Sequence, residues 1–317
     1  MKRLLFILCL IALLSMTTSC FMPINTNSGA TVNNDKSSGV TTKTESNSNQ
    51  TTSTNKVTTT NTTSKQESEA SVEEQILIDQ DGIVIKLKSL SSDPFWGPSL
   101  KLLIENNRKN SVMIQTRNST VNGVMMEAMF SCDIAPNKKA NEEIVFMSSD
   151  LEVANIEVIR EIEFYFTVSD ASSWEDIFDS DTIYIKTSAF DTHVQTYDDS
   201  GFIALDQRDI KLVIKRLDSE DSFWGAEIYV YLENNSKQNI TVQIEDCSIN
   251  GFMIDPMFSC DVLAGKKAFD TITLMESDLE ENEIESIDEI ELYFNVFNAD
   301  TWDDIFQSDI VKISFSE

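Results

Sequence analysis

Ile162-Glu163-Phe164-Tyr165-Phe166-Thr167-Val168 carries a large apolar side chain at every second position. Successive side chains of an extended strand point to opposite faces, so this spacing gathers Ile162, Phe164, Phe166 and Val168 on one face and leaves Glu163, Tyr165 and Thr167 on the other. A helix would scatter the same four residues around its circumference. The pattern returns 128 residues later as Ile290-Glu291-Leu292-Tyr293-Phe294-Asn295-Val296. Ile83-Val84-Ile85-Lys86-Leu87-Lys88, Leu100-Lys101-Leu102-Leu103-Ile104 and Thr182-Ile183-Tyr184-Ile185 read the same way, as strands with one wet face.

The recurrence belongs to a repeat. Residues 95–187 align without a gap to 223–315, and about 42 of the roughly 93 positions are identical. Phe95-Trp96-Gly97 matches Phe223-Trp224-Gly225, Glu105-Asn106-Asn107 matches Glu233-Asn234-Asn235, and Met129-Phe130-Ser131-Cys132-Asp133 matches Met257-Phe258-Ser259-Cys260-Asp261. Upstream the offset becomes 127, which places a one-residue insertion near Glu220. Asn122-Gly123 and Asn250-Gly251 each sit between strand-like runs, and Asn-Gly supplies the positive φ angles of a type I′ hairpin turn. The acidic stretch Ser149–Ile156 lacks alternation and opens with Ser-x-x-Glu, a capping-box pattern for one or two helical turns. About seven strands per unit, with turns every 8–12 residues, predict an all-β chain of two tandem immunoglobulin-like β-sandwiches, with a small barrel as the alternative. The units fall at 76–188 and 203–317, with 189–202 as an interdomain linker.

Ahead of the repeats lie two segments of different character. Lys2 and Arg3 precede an eleven-residue apolar run, Leu4 to Leu14, and then small polar residues up to Cys20. This is a secretory signal over 1–19, too short for a spanning helix. Residues 20–75 are Ser, Thr, Asn and Gln with hardly an aromatic, and cannot bury enough apolar surface to offset chain entropy. They are expected to form a disordered stalk with a root-mean-square reach of roughly 40 Å.

The placement of Cys20 resembles the bacterial lipobox, although Thr17 stands where an apolar residue is usual. The resemblance implies a thiol diacylated with fatty chains such as palmitate, a cut just before Cys20, and a lipid-anchored protein on the extracytoplasmic face of the cell membrane. Two acyl chains suffice for stable anchoring. An ordinary secretory cut nearby, leaving a free protein, is the alternative. The whole layout resembles the immunoglobulin-like lipoproteins of Gram-positive bacteria, and the apolar strand ending in Glu-Asn-Asn is similar to that of telokin-like extracellular domains. The resemblance implies a sandwich fold and a surface location; it transfers no catalytic residue.

Charge and composition exclude several functions. Lys2 and Arg3 are balanced by the stalk, whose six acids face four lysines, so the net charge of -29 lies on residues 76–317. Such a surface repels phosphate backbones, and no nucleic acid is expected as partner. The single histidine, His193, falls in the linker, so neither a Ser-His-Asp nor a Cys-His mechanism can be assembled within a unit. A zinc site lacks its ligand cluster for the same reason. No catalytic residue, metal or cofactor is assigned, and the chain is expected to be non-enzymatic; a carboxylate-based hydrolase is the weakest alternative. Matched acids (Asp150, Glu152, Asp176, Asp181 and their copies) could offer calcium oxygens or simply cap turns on a wet surface. Cys132 and Cys260 read as buried structural thiols. Cys247 has Ser119 as its counterpart, and a Cys247–Cys260 disulfide is a further possibility.

What remains is a set of loop aromatics: Phe95, Trp96, Trp174, Phe223, Trp224 and Trp302. Exposed, they could anchor a protein or stack on a glycan; buried, each would plug an end of its own sandwich. The first case makes the chain a display protein with two interaction modules. The second suits a structural or accessory spacer of the envelope.

Overall fold

Asn122 and Gly123 take φ of 52° and 81°, and Asn250 and Gly251 take 50° and 87°, so both hairpins turn through the left-handed region as the two-residue I′ loop requires. The computed structural model describes residues 70–219 and 225–314. The signal segment, nearly all of the stalk including Cys20, and Phe223 and Trp224 lie outside the described residues.

The first half contains β1 (Gln75–Gln80), β2 (Ile83–Asp93), β3 (Gly97–Asn106), β4 (Val112–Val121), β5 (Val124–Met125), β6 (Ala128–Met129), β7 (Ser131–Ile134), β8 (Lys138–Phe146), helix α1 (Ser148–Val153), β9 (Glu161–Asp170), β10 (Asp176–Asp179) and β11 (Ile183–Lys186). The second contains β12 (Phe202–Gln207), β13 (Ile210–Asp218), β14 (Gly225–Asn234), β15 (Ile240–Ile249), β16 (Phe252–Met253), β17 (Ser259–Val262), β18 (Lys267–Met275), helix α2 (Glu276–Glu281), β19 (Glu289–Asn298), β20 (Asp304–Gln307) and β21 (Val311–Ser314).

In the first half a sheet ordered β1-β2-β3-β8-β6 faces one built on β10-β9-β4-β5, with β7 on β4 and β11 on β9. In the second, β12-β13-β14-β18 faces β16-β15-β19-β20, with β17 on β15 and β21 on β19. The sheets are open and form no closed barrel. The alternation that opened the sequence reading is realised on β9, where Ile162, Phe164, Phe166 and Val168 are fully buried, and on β19, where their copies are buried too. Each such side chain contributes roughly 1.5–3 kcal/mol when withdrawn from water. Two apolar clusters result, one from each half.

Two local expectations need correction. Helices α1 and α2 form where the acidic stretches predict them, but Ser149 is not the N-cap. Met147 and Met275 occupy the caps in extended conformation, with no side-chain cap hydrogen bond. The helices are held instead by Leu151 and Leu279, buried against the cores. The seven strands counted per half are also too few, because breaks around β5, β6 and β10 cut short pieces that periodicity over longer windows merges.

The Glu-Asn-Asn ends of β3 and β14 acquire a clear role. Asn106 is fully buried; its Nδ2 donates to the carbonyls of Asn110 and Ile134, both at 2.9 Å, and its Oδ1 accepts from the Arg108 N–H at 2.9 Å. Asn234 repeats this with Gln238, Val262 and Ser236. One buried amide thus ties the β3–β4 connection to the end of β7, and its copy does the same in the second half.

Candidate partner-binding site

The Phe95-Trp96 loop is shaped by two constraints. Asp93 Oδ1 accepts from the backbone N–H groups of Phe95 (2.8 Å) and Trp96 (2.9 Å), closing a tight turn at the end of β2. The N–H of Trp96, then that of Phe95, holds the Asp93 carboxyl below its ordinary value. Gly97 follows with φ of 106°, and a β-carbon there would run into the Phe146 carbonyl and lie 2.8 Å from the Ser148 N. Gly225 meets the same obstruction, which accounts for the glycine at this position in both halves. The loop turns outward, leaving Phe95 75% and Trp96 53% exposed, ring against ring edge-on at 5.0 Å.

Trp174 and Trp302 occupy the tips of the β9–β10 and β19–β20 connections. Asp170 Oδ1 accepts from the N–H groups of Ser172 (2.9 Å) and Ser173 (3.1 Å), while the Asp170 carbonyl accepts from Trp174. The Ser172 N–H and the Asn110 amide lead the contacts that hold the Asp170 carboxyl below its ordinary value. Asn298 does the same work for Asp300, Thr301 and Trp302. Both tryptophans end in the left-handed region and remain 69% and 64% exposed. Trp302 leans on Phe297 at 6.5 Å.

The plug reading therefore fails for every tryptophan among the described residues. The two loops of one half do not merge into one patch. Trp96 precedes the first residue of β3, whereas the Trp174 tip is bonded to Ser111 and Asn110, beyond the far end of that strand. A ten-residue strand spans about 33 Å, so the aromatic sites of the first half lie at opposite ends of its sandwich.

Sequence reasoning missed a feature between the halves. The Lys267 N–H donates to the Gly123 carbonyl at 3.0 Å, making a parallel bridge from β5 to β18 that joins the two sheets. Lys266 pairs with Glu163, and Tyr197 of the connecting segment donates its hydroxyl to the Asn122 carbonyl. Phe269 packs on the first core and Met125 on the second. Beside this joint runs a groove of about 970 Å³ lined in part by Arg117, Phe130, Cys260 and Asp270. Burial pushes the Asp270 carboxyl up, opposed by the Thr271 N–H and the Cys260 thiol and reinforced by Asp261. The available signal was a mismatch: Phe269 and Asp270 stand where the first half has Asn141 and Glu142, directly after the matched run Lys266-Lys267-Ala268.

Cys132, Cys247 and Cys260 are buried free thiols. His193 is half-buried in the connecting segment, its N–H bonded to the Ala189 carbonyl. Among the described residues no group of three or more His, Cys, Asp or Glu is placed to hold a metal ion, and no helix is long and apolar enough to cross a membrane.

No protein-family model and no curated protein matches the chain. Among solved structures, the YadV chaperone is 11% identical over 74% of this chain and 100% of its own, with a TM-score of 0.23. The Salmonella enterica SafA pilin in complex with the SafB chaperone is 11% identical over 68% and 89%, with a TM-score of 0.20. The CsuC-CsuE chaperone–tip adhesion subunit complex of Acinetobacter baumannii is 13% identical over 69% and 92%, with a TM-score of 0.19. These overlaps are slight.

Proposed function

We propose that the chain is a membrane-anchored extracytoplasmic lipoprotein, acylated at Cys20, that displays two non-enzymatic β-sandwich modules to a protein partner. One observation carries this reading: Trp174 and Trp302 project from matched hairpin tips in a backbone conformation that costs a bulky residue about 1–2 kcal/mol. Glycine or asparagine would fill those positions more cheaply, and neither indole is drawn inward by a core. A protruding tryptophan suits insertion into a partner's pocket, where such side chains commonly carry most of the binding energy. Two such tips on one chain gain avidity when the partner surface is repetitive.

The test compares the chain with its Trp174→Asn/Trp302→Asn double variant for binding to isolated cell envelopes. At about 2 kcal/mol per anchor, the variant is expected to bind at least 30-fold more weakly, and protease treatment of the envelopes abolishes binding by the parent. Loss of binding after periodate treatment, with protease without effect, moves the reading to a glycan. Equal binding by parent and variant overturns it in favour of a spacer. For the anchor, Cys20→Ser is expected to leave the membrane fraction; unchanged membrane association removes lipidation from the account.

A further inference from the structure

The joint between the two halves uses surfaces that the repeat has duplicated. The first half contributes its Asn-Gly hairpin and Glu163; the second contributes the edge of β18 at Lys266 and Lys267. The matching hairpin of the second half, Asn250-Gly251 followed by β16, has no sandwich against it among the described residues. The matching edge of the first half, β8 at Lys138 and Lys139, is equally uncovered: β8 pairs with β6 only at Val145 and Phe146.

The exposures follow this division. Within the joint Val124 is buried, and the Lys266 and Lys267 side chains are 18% and 19% exposed. At the free copies Phe252 is 48% and Met253 65% exposed, and the Lys139 side chain is 61% exposed. A β-carbon on Gly251 would meet nothing within 4 Å, whereas one on Gly123 would touch Tyr197. The free hairpin is nonetheless built like the engaged one. Asn250 accepts at Oδ1 from the N–H groups of Asp288 and Glu289 and donates to Ser286, as Asn122 does with Arg160, Glu161 and Val158.

We propose that the Asn250-Gly251 hairpin docks on the free edge of β8 in a second copy of this chain, repeating between molecules the contact that joins the halves within one. The chemistry is complementary at two points, and a third has changed. Glu291, the copy of Glu163, pairs with Lys312 of its own chain and is placed to share its carboxylate with Lys138 of the next molecule, the copy of Lys266. The Gly251 carbonyl receives the N–H of Lys139, as the Gly123 carbonyl receives that of Lys267. The aromatic ring has changed sides: the internal joint sets Val124 of the hairpin near Phe269 of the edge, whereas the free copies offer Phe252 on the hairpin and Asn141 on the edge. The contact is heterologous, since hairpin meets edge and not another hairpin, so it adds molecules head to tail.

Cysteine cross-linking tests this in the Cys20→Ser chain. The internal pair Lys267–Val124 maps onto Lys139 of one molecule and Phe252 of the next. Neighbouring strands lie about 4.8 Å apart, within reach of a disulfide. With Phe252→Cys and Lys139→Cys in the same chain, mild oxidation is expected to give a ladder of linked dimers, trimers and longer species. A mixture of the two single-cysteine chains stops at the dimer, and each alone stays monomeric. Absence of cross-linked product from the double variant, or a dimer from either single variant alone, overturns the proposal. Both positions are exposed, and a thermal melt matching the parent confirms that the variants fold.

Discussion

Trp174 and Trp302 stand 128 positions apart and share one backbone conformation, each with φ of 63° and each donating its N–H at 2.8 Å to the carbonyl four residues earlier. The turn that holds them is built by the side chains of Asp170 and Asn298, not by the indoles. Stability and exposure of the aromatic ring are therefore separable here. Replacing either tryptophan by asparagine, which tolerates the left-handed region, is expected to leave the thermal midpoint unchanged or raise it by up to a few degrees, corresponding to about 1 kcal/mol of relieved strain. A fall of more than a few degrees in calorimetry shows that the indole holds the fold together and is not free for a partner.

Asn106 and Asn234 are a different case, because each satisfies several buried backbone groups at once. Alanine at either position strands the Ile134 or Val262 carbonyl without its donor and leaves a small void. The expected loss is about 2–3 kcal/mol, read from urea unfolding with unchanged slope. Aspartate is expected to be worse, since it removes the donor and buries a charge. A loss below about 0.5 kcal/mol for Asn106→Ala means that water replaces the amide at no cost.

How much of this was legible follows from the range of each signal. Period-two alternation is local, so Ile162 to Val168 declared a strand and its buried face without outside help. The Asn-Gly turns were legible because two positive φ angles in succession leave few choices of residue. The ends of α1 and α2 were not: Ser149-x-x-Glu152 fits a capping box, but burial of Leu151 fixes where the helix starts, and that depends on the sheet beneath it. The joint left only an indirect trace, the change from Asn141-Glu142 to Phe269-Asp270, for a related reason. Lys267 and Gly123 are 144 residues apart, and their hydrogen bond leaves no periodic trace. Trp96 and Trp174 were legible as matched loop residues, but their separation to opposite ends of a sandwich required knowing which strand ends adjoin.

Asp270 gives a pH dependence with a definite sign. Its folded carboxyl is pushed up, first by burial and then by Asp261, while the unfolded one titrates near its ordinary value of about 3.9. Between those two values the folded state holds the extra proton, so Asp270 makes stability fall as pH rises through the window and leaves it lower above. Asp270→Asn keeps an acceptor for the Thr271 N–H, which lies at 2.7 Å, and removes the charge. The variant is expected to be more stable than the parent at pH 8, with the difference shrinking as pH falls toward 4, followed by denaturant midpoints across that range. A variant less stable than the parent at pH 8 shows that the carboxylate is compensated within the groove.

The thiols connect the core to the proposed anchor in one measurement. Burial pushes Cys132 up to about 12, with Glu142 and Asp133 adding to it, and pushes Cys247 up to about 12 with a contribution from Asp255. Cys260 is raised as well, by burial and then by the neighbouring Asp270. At pH 8 only about one molecule in ten thousand carries a thiolate at Cys132 or Cys247, and the thiolate is the reactive form. The folded mature chain is therefore expected to resist Ellman's reagent, and a thiol that reacts at once in the folded chain contradicts the buried placement. Unfolding in guanidinium exposes Cys132, Cys247 and Cys260 together. If Cys20 is held in a thioether to lipid, the unfolded chain titrates three thiols and no more. With residues 1–19 removed, and Cys9 with them, a fourth equivalent identifies Cys20 as free and takes lipidation out of the proposed function.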